Sequence, residues 1–375
     1  MLRANHSDRS FIDQSTQANM NCRLKIFLLS LLILYQTNFS NAQNGSQVYS
    51  IDKDANAYYL KALHYIEIGD PRTGGSVDSL KIAVQLLEKA VQKDTLFAKA
   101  FLELSRTYWK FDFSYPNRPL YFPGAAVVLP KSKKAILKAI QIDSTSDEAY
   151  TDLAGINYSY EYNWNEALKN LSRAIKYNPK NIGNYARYGQ VLALKGDITA
   201  AQKWIDTAYN LAPNDSRTLL NIGVYYYWMR DFKKAIYYFN KINPQTYISK
   251  FYIGYSFIAD NSPAKAVEIL KTVYTDFENA DGGAKALLAY ALTRNGELAE
   301  AEKLIKRSYE LNQVVKYRDA VFNIGIRKHK KAIDLLEATY DERGNWLVWL
   351  KYDPALDPIR KEKRFIILLN KMKYN

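Results

Sequence analysis

The stretch that decides the fold is residues 182–215, IGNYARYGQVLALKGDITAAQKWIDTAYNLAPND. Apolar and small residues recur at helical spacing on both sides of Gly196, which predicts two amphipathic helices joined by a short turn. Pro213 is expected to end the second helix. Gly189 and Ala201 have small or no side chains, so we expect the two helices to pack closely and antiparallel at these positions.

The same pattern recurs before and after this stretch. It is clearest at 147–180 and 216–244, and further copies are predicted at 57–94, 101–139, 247–274, 282–309 and 316–340. About eight units result, more than the roughly three that a stable stack of repeats requires. Several copies in register, with their glycines and prolines in place, are not expected from a chance run of amphipathic helices.

This layout resembles the tetratricopeptide (TPR) repeat, in which each unit is a pair of antiparallel helices. The resemblance implies an all-α fold, a right-handed TPR superhelical solenoid of about eight helix pairs with a C-terminal helical cap. We assign residues 43–54 to a linker, 55–340 to the solenoid and 341–375 to the cap. An insertion at 111–130 contains four prolines, which are expected to prevent a continuous helix there.

The cap follows the last repeat and is rich in aromatic residues, among them Trp346, Trp349 and Tyr352. A solenoid without a lid exposes a hydrophobic face at its end. We therefore expect these side chains to cover the apolar end of the stack, which makes a structural role for them more natural than a ligand-binding one.

The amino end has the features of a secretory signal peptide. Residues 26–35, IFLLSLLILY, form a short apolar run after two basic residues, and small residues follow at the −3 and −1 positions of a cleavage site. We predict a signal peptide at 1–42, with Met20 as a second candidate start. The run is shorter than the roughly 20 residues that span a bilayer. An uncleaved anchor and a buried helix are the alternatives.

Export would place the mature chain in the periplasm or the envelope of a Gram-negative bacterium, without a transmembrane span. Cys22, the single cysteine of the sequence, would leave with the signal peptide. A mature chain without cysteine suits an oxidising compartment, where a stray thiol is a liability.

Three further stretches, 57–109, 162–179 and 332–372, resemble the C-terminal TPR half of bacterial winged-helix regulators, adenylate-cyclase-type proteins and some membrane-bound kinases. The last of these, AIDLLEATYDERGNWLVWLKYDPALDPIRKEKRFIILLNKM, is the most specific. In that family the repeats are sensory or scaffolding parts and an output domain precedes them. Here no output domain precedes the repeats, so the resemblance implies only the interaction part.

In TPR proteins the first helices of the units line a concave groove, and the resemblance implies that a protein or peptide ligand binds there. Aromatic rings with polar tips suit such a ligand because they give contact area at low entropy cost. Packing of the rings on adjacent helices is the alternative for each residue. The predicted groove residues are Arg106, Trp109, Tyr158, Arg187, Gln190, Asn221, Tyr227, Phe251, Tyr255 and Tyr290.

The net charge of +14 is partly concentrated in residues 316–375, which hold 14 lysines and arginines against 8 acidic residues. An anionic partner, such as a membrane surface or an acidic protein, is one interpretation, and a solvated helix face is the other. A nucleic-acid partner would require the predicted signal peptide to be wrong.

The sequence contains no recognisable catalytic motif or metal-ligand spacing. Only three histidines occur, and no nucleophile elbow, phosphate-binding loop or zinc-protease motif is present. We therefore predict a non-catalytic scaffold without a cofactor that is exported and binds a protein or peptide. The alternative is an extracytoplasmic sensor or accessory subunit of a membrane signalling or transcription-regulatory system.

Overall fold

The computed structural model describes residues 49–69, 76–111, 125–276, 282–310, 315–372 and 374. The chain divides into two compact units, Met1–Ile51 and Asp52–Asn375. The predicted signal peptide at 1–42 lies outside the described residues, as do the first part of the linker and the insertion from 112 to 124. The repeats belong to the second unit.

The described part of this unit is helical and contains no strand. Two 3-10 helices, Asn345–Trp349 and Pro354–Ile359, separate the last two α-helices. We number the α-helices in chain order: α1 Lys53–Ile68, α2 Val77–Lys93, α3 Ala98–Lys110, α4 Ala125–Ile142, α5 Asp147–Ser159, α6 Trp164–Tyr177, α7 Gly183–Lys195, α8 Ile198–Leu211, α9 Ser216–Trp228, α10 Phe232–Asn240, α11 Tyr247–Ala259, α12 Pro263–Asp276, α13 Gly282–Arg294, α14 Leu298–Glu310, α15 Lys316–Gly325, α16 His329–Asp341 and α17 Lys363–Lys371.

Each odd-numbered helix packs on the even-numbered helix that comes after it, from α1 on α2 to α15 on α16. Odd-numbered helices also contact one another in succession from α7 to α15. We call the side of the stack that the odd-numbered helices form the inner face. The eight pairs confirm the predicted all-α repeat solenoid.

Aspartate side chains start three successive helices of the stack. Asp197, Asp215 and Asp231 precede α8, α9 and α10, and each carboxylate accepts a hydrogen bond from the backbone N–H three residues later, at 2.7–3.1 Å. Such a cap satisfies an N–H group that has no partner inside the helix and contributes about 1 kcal/mol. The turns between the helices are therefore specified locally by the sequence.

The glycines of the first helices allow the second helices to approach closely. A Cβ on Gly189 of α7 would lie 3.0 Å from the carbonyl oxygen of Ala201 on α8. Gly196 ends α7 with φ of 99°, a left-handed conformation that glycine adopts without strain. Helix α8 ends at Leu211, two residues before Pro213. The expectations from the 182–215 stretch are confirmed.

Helix α4 departs from the sequence expectation for the insertion. Prolines were expected to keep 111–130 from forming a continuous helix, yet α4 begins at Ala125 and includes Pro130 as its sixth residue. The fixed φ of proline is compatible with a helix, and near a helix start the missing N–H removes a single backbone hydrogen bond. The expectation that proline interrupts the helix is therefore wrong at Pro130, and for residues 112–124 it stays a prediction.

We expect Gly223→Ala to lower the stability of the solenoid by about 1–3 kcal/mol. The added Cβ would overlap the ring of Phe239, which is fully buried and stacked on Tyr252 with centroids 5.3 Å apart. Alanine gains only about 1 kcal/mol in helix propensity over glycine. Urea unfolding followed by circular dichroism measures the difference.

The double variant Gly223→Ala/Phe239→Leu provides the control for this clash. A smaller side chain at 239 makes room for the Cβ, so the double variant should be more stable than the sum of the two single losses predicts. A Gly223→Ala chain as stable as the parent would show that the two helices are not as close as described.

Candidate functional site

The stretch after α16 lies on the inner face of the stack. We call residues 345–360, which include both 3-10 helices, the C-terminal segment. It contacts α5 through its first 3-10 helix and α15 through its second. Tyr352 also donates a hydrogen bond from its hydroxyl to the carbonyl oxygen of Ala193 on α7, at 2.7 Å. The segment therefore connects first helices that are far apart in the chain.

The position of this segment differs from the sequence expectation. A lid over the apolar end of the last repeat was expected, and the segment does touch α16. The rings around Trp349, however, come largely from α9 and α11, which belong to earlier helix pairs than the last one. The reason is burial, because the inner face presents a continuous aromatic surface between α9 and α15 that the segment covers.

Trp349 occupies the centre of this aromatic surface and is almost completely buried. Its ring lies parallel to that of Tyr252 with centroids 5.3 Å apart, and within 5.3–6.0 Å of the rings of Tyr227, Trp228 and Tyr255. Aromatic pairs in such arrangements contribute about 0.5–1.5 kcal/mol each beyond the area that they bury.

Asp353 is a fully buried carboxylate that hydrogen bonds hold in place. The hydroxyl of Tyr317 donates to it at 2.8 Å and that of Tyr227 at 3.3 Å, and the hydroxyl of Tyr255 donates to the same carboxylate. The backbone N–H of Ala355 is a further donor at 2.9 Å. One side chain of the segment thus collects hydroxyls from α9, α11 and α15.

The three tyrosines act as hydrogen-bond donors rather than as acids. Burial raises the pKa of Tyr227, Tyr255 and Tyr317 well above the ordinary value, and the negative charge of Asp353 raises it further. All three are therefore protonated at neutral pH. The group can therefore recognise a carboxylate.

Arg318 lies next to this group and is also fully buried. Its guanidinium carbon is 4.1 Å from the ring centroid of Trp346, 4.6 Å from that of Tyr255 and 4.9 Å from that of Phe251. None of its guanidinium nitrogens has a hydrogen-bond acceptor among the described residues. Aromatic faces attract a desolvated cation by about 2 kcal/mol, which only partly replaces its lost hydration.

The charge of Arg318 is nevertheless maintained. Burial by itself lowers the pKa of Arg318, but the negative charge of the Asp353 carboxylate opposes this and the pKa is raised overall. The inner face therefore combines a caged cation, several aromatic rings and a carboxylate pocket. This arrangement can bind an aromatic and acidic chain.

The structure brings four of the predicted groove residues together at this site. Tyr227, Phe251, Tyr255 and Tyr290 are all buried, the first three against the C-terminal segment. Burial also raises the pKa of Tyr290 to about 12. An external ligand that bound these residues would therefore need a surface that the C-terminal segment already covers.

The other predicted groove residues lie on α3, α5, α7 and the first half of α9. Gln190 donates a hydrogen bond to the carbonyl oxygen of Asn221 at 2.7 Å, so the two connect α7 to α9. Trp109 packs against Tyr160 with ring centroids 5.9 Å apart. Part of the surface of the remaining members is exposed, namely Arg106, Tyr158 and Arg187.

Arg106 is the centre of a charged cluster. It pairs with Asp152 at 2.6 Å, Glu148 at 2.9 Å and Glu103 at 3.1 Å. Burial alone lowers the pKa of Arg106, but the three carboxylates raise it overall. Burial raises the pKa of Asp152, which Arg106 and Arg187 offset only in part. The ion pairs of this cluster therefore join α3 to α5, although burial disfavours the charged form of Asp152.

Sequence reasoning missed Arg318 and Asp353. Both occur in stretches with several charges, where a solvated position is the ordinary interpretation. One signal was present for Asp353, since aspartate before Pro354 favours a turn that brings the side chain back to the backbone. No comparable signal marks Arg318, because its cage, apart from the neighbouring Tyr317, comes from residues about 30 to 70 positions away.

The predicted basic end is partly neutralised by ion pairs. Arg364 pairs with Glu337 and with Asp334 at 2.8 Å, and Lys316 pairs with Glu342. Arg327, Lys328, Lys330 and Lys331 remain exposed on the stretch that starts α16. Binding of an anionic surface by this end stays a prediction.

Two absences concern the described residues alone. Within those ranges no helix is both long and apolar enough to cross a bilayer. The same ranges hold no group of three or more histidine, cysteine, aspartate or glutamate side chains that could bind a metal ion.

Comparisons with known proteins support the repeat fold. No protein-family model matches the chain. Anaphase-promoting complex subunit 3 of Schizosaccharomyces pombe is 29% identical over 108 residues, which make up 29% of this chain and 16% of that protein. The match thus spans about a sixth of the length of this curated relative.

Two solved structures are similar in fold. A tetratricopeptide repeat protein from Parabacteroides merdae ATCC 43184 superposes with a TM-score of 0.51 at 11% identity, over 73% of this chain and all of that one. Yeast Tom70 gives a TM-score of 0.50 at 16% identity, over 98% of this chain and 79% of that one. At such identities the similarity establishes the fold, which is that of TPR solenoid proteins.

We expect Asp353→Ala to lower the free energy of unfolding by about 3–5 kcal/mol. It leaves three buried tyrosine hydroxyls without their acceptor and removes a negative charge that acts on Arg318. Arg318→Met should cost much less than Asp353→Ala, since methionine needs no hydrogen bonds and Asp353 keeps its donors. Urea unfolding of both variants tests the pair, and a large loss with Arg318→Met would contradict the assignment of an unpaired guanidinium.

We expect Asp319→Asn to stabilise the chain at pH 7. Burial raises the pKa of Asp319 above the ordinary value, although a hydrogen bond from Tyr309 opposes this. A folded-state pKa above the unfolded one means that the charged form lowers stability at neutral pH, and that this loss disappears as pH falls through the folded pKa. Thermal unfolding from pH 7 to pH 4 should therefore show the advantage of asparagine shrinking, and an advantage that grows on acidification would refute the argument.

Proposed function

We propose that the chain is a non-catalytic TPR scaffold that binds a protein or peptide along its inner face. The observation that carries this proposal is the way in which the inner face binds the C-terminal segment. An irregular stretch of chain lies on the inner face and is held by ring stacking and side-chain hydrogen bonds. These are the contacts by which a repeat scaffold holds a peptide, so the surface is suited in shape and chemistry to that task.

The part of the inner face on α3 to α9 is the proposed place of first contact with a partner. Arg106, Tyr158, Arg187 and Asn221 keep some exposed surface there, and they combine positive charge, an aromatic ring and amide donors. Mixed polar and aromatic groups of this kind bind peptide backbones and side chains together. Non-catalytic binding agrees with the protonated state of the buried tyrosines.

Export to the cell envelope forms part of this proposal. It is supported by the apolar run at 26–35 and by the small residues before Gln43. The partner is then expected among proteins of the envelope.

A second candidate function is that of an accessory subunit of a membrane signalling system. The resemblance of residues 332–372 to the end of regulator repeat regions favours it, and this stretch contains the C-terminal segment that covers the inner face. Co-purification with a membrane regulator, rather than with envelope assembly proteins, would favour this candidate.

Affinity capture from envelope extract tests the scaffold proposal. We expect residues 43–375 to retain a partner that the double variant Arg187→Ala/Asn221→Ala loses by at least ten-fold. The matched control is Lys203→Ala/Asn240→Ala, which removes one cation and one amide from exposed positions on α8 and α10. Loss of the partner in both variants would reject the inner face as the binding surface, and capture of nothing by the parent would reject the scaffold itself.

A further inference from the structure

The C-terminal segment has the composition of a peptide ligand with two aromatic anchors and one acidic anchor. Trp346 stacks on the Arg318 guanidinium, Trp349 fills the centre of the aromatic surface, and Asp353 enters the tyrosine pocket. The three anchors have the spacing Trp-x-x-Trp-x-x-x-Asp. The contacts of these three anchors therefore indicate which side chains the inner face binds.

Not every buried polar group beside the bound segment has a hydrogen-bond partner among the described residues. Arg318 is completely buried without a hydrogen-bond acceptor among the described residues, so docking of the segment removes water from a cation and returns aromatic contacts and the attraction of the Asp353 carboxylate, but no hydrogen bond. Buried N–H groups that lack an acceptor weaken the closed arrangement. Against it stands the burial of apolar side chains, including Leu347 and Leu350, which are both fully buried.

A competing peptide can offer what the segment does not. A carboxylate beside the first aromatic anchor would pair with the guanidinium of Arg318 through two parallel hydrogen bonds, the strongest arrangement that arginine makes. The remaining anchors of such a peptide would use the same ring contacts and the same tyrosine hydroxyls. Its gain over the segment is therefore located at Arg318.

We propose that the C-terminal segment is a tethered substitute for the external ligand, and that this ligand is a peptide that forms similar short helical turns, with aromatic and acidic side chains in the Trp-x-x-Trp-x-x-x-Asp spacing. Binding of the partner displaces the segment from α9, α11 and α15. The inference rests on the proposed function in that both place the ligand on the inner face. It adds the chemistry of the partner and an autoinhibitory role for residues 345–360.

A synthetic peptide of residues 344–358, GNWLVWLKYDPALDP, serves as the probe, labelled with a fluorophore and titrated with full-length protein in anisotropy measurements. We expect the Asp353→Asn protein to bind this peptide at least ten-fold more tightly than the parent does, because its own segment is held less firmly. A second peptide carries Asn345→Asp, which places a carboxylate beside the first aromatic anchor. The parent should bind this peptide at least ten-fold more tightly than the unmodified one, and the Arg318→Met protein should bind the two peptides equally. Lys361→Gln, at an exposed position just beyond the segment, should bind like the parent.

The acidic anchor is tested in the peptide itself. A peptide in which Asp353 is replaced by asparagine should bind the Asp353→Asn protein at least ten-fold more weakly than the unmodified peptide does. Arg318→Met distinguishes recognition from a merely structural role, since this variant is expected to cost little stability and yet to lose the gain in affinity that the added carboxylate of the Asn345→Asp peptide provides.

Hydrogen exchange in the unmodified protein provides the test if Asp353→Asn does not fold. With uniformly 15N-labelled protein and excess unlabelled peptide, we expect faster amide exchange at residues 346–353 and unchanged exchange in α2. No change at 346–353 with the peptide at its solubility limit would overturn the proposal, as would equal peptide binding by the parent and by a folded Asp353→Asn protein.

Two further outcomes would also overturn it. An equal gain in affinity from the Asn345→Asp peptide in the parent and in Arg318→Met would remove the role of the caged cation. Dimers of the parent in sedimentation that the peptide fails to dissociate would assign the site to the segment of a second copy. These failures are distinct from failure of the scaffold proposal, which depends on Arg187 and Asn221 and on a partner from the envelope.

Discussion

The arrangement of the second half of the molecule depends on the buried carboxylate of Asp353. Three tyrosine hydroxyls from α9, α11 and α15 meet at one side chain, which lies beyond the repeats in the chain. A buried carboxylate is costly unless donors surround it, and hydroxyls without an acceptor are costly as well. Each therefore requires the other, and together they fix where the C-terminal segment crosses the inner face.

Stacking alone would leave each helix pair in contact only with its neighbours. The C-terminal segment adds contacts between helices that are far apart in the chain, because it touches both α5 and α15. Tyr162, in the turn between α5 and α6, stacks on Tyr340 of α16 with ring centroids 6.2 Å apart. Trp164 stacks in the same way on Tyr374, at 5.4 Å. The described repeats from the third to the last thus enclose the segment in one apolar core.

Local chemistry made the repeats predictable from the sequence. Gly189, Gly196 and Pro213 report close approach, a left-handed turn and a helix stop, each within a few residues of the feature that it specifies. The same helical periodicity puts Tyr227 and Tyr255 on the inner face. Their environment could not be predicted in this way, since Trp349 and Asp353 reach them from about 100 residues further on.

Arg318 is a second residue whose environment could not be predicted from the sequence. A single arginine in the stretch KYRDAVFNIG is ordinarily a solvated residue, and nothing nearby in the chain indicates that it is buried. Its cage is assembled from α11, from α15 itself and from the C-terminal segment. Sequence periodicity describes which side of a helix faces inward, and it is silent about what a distant segment places against that side.

The position of the segment also determines the order in which the molecule can complete its fold. Early repeats can form and stack as the chain emerges, because their partners are adjacent in sequence. The rings of Tyr227, Tyr252 and Tyr255 must wait for Trp349, which is made more than about 90 residues later. Until then these aromatic side chains face solvent on repeats that have already assembled. A chain of this design stays vulnerable to aggregation until residues 346–353 have been made and have docked.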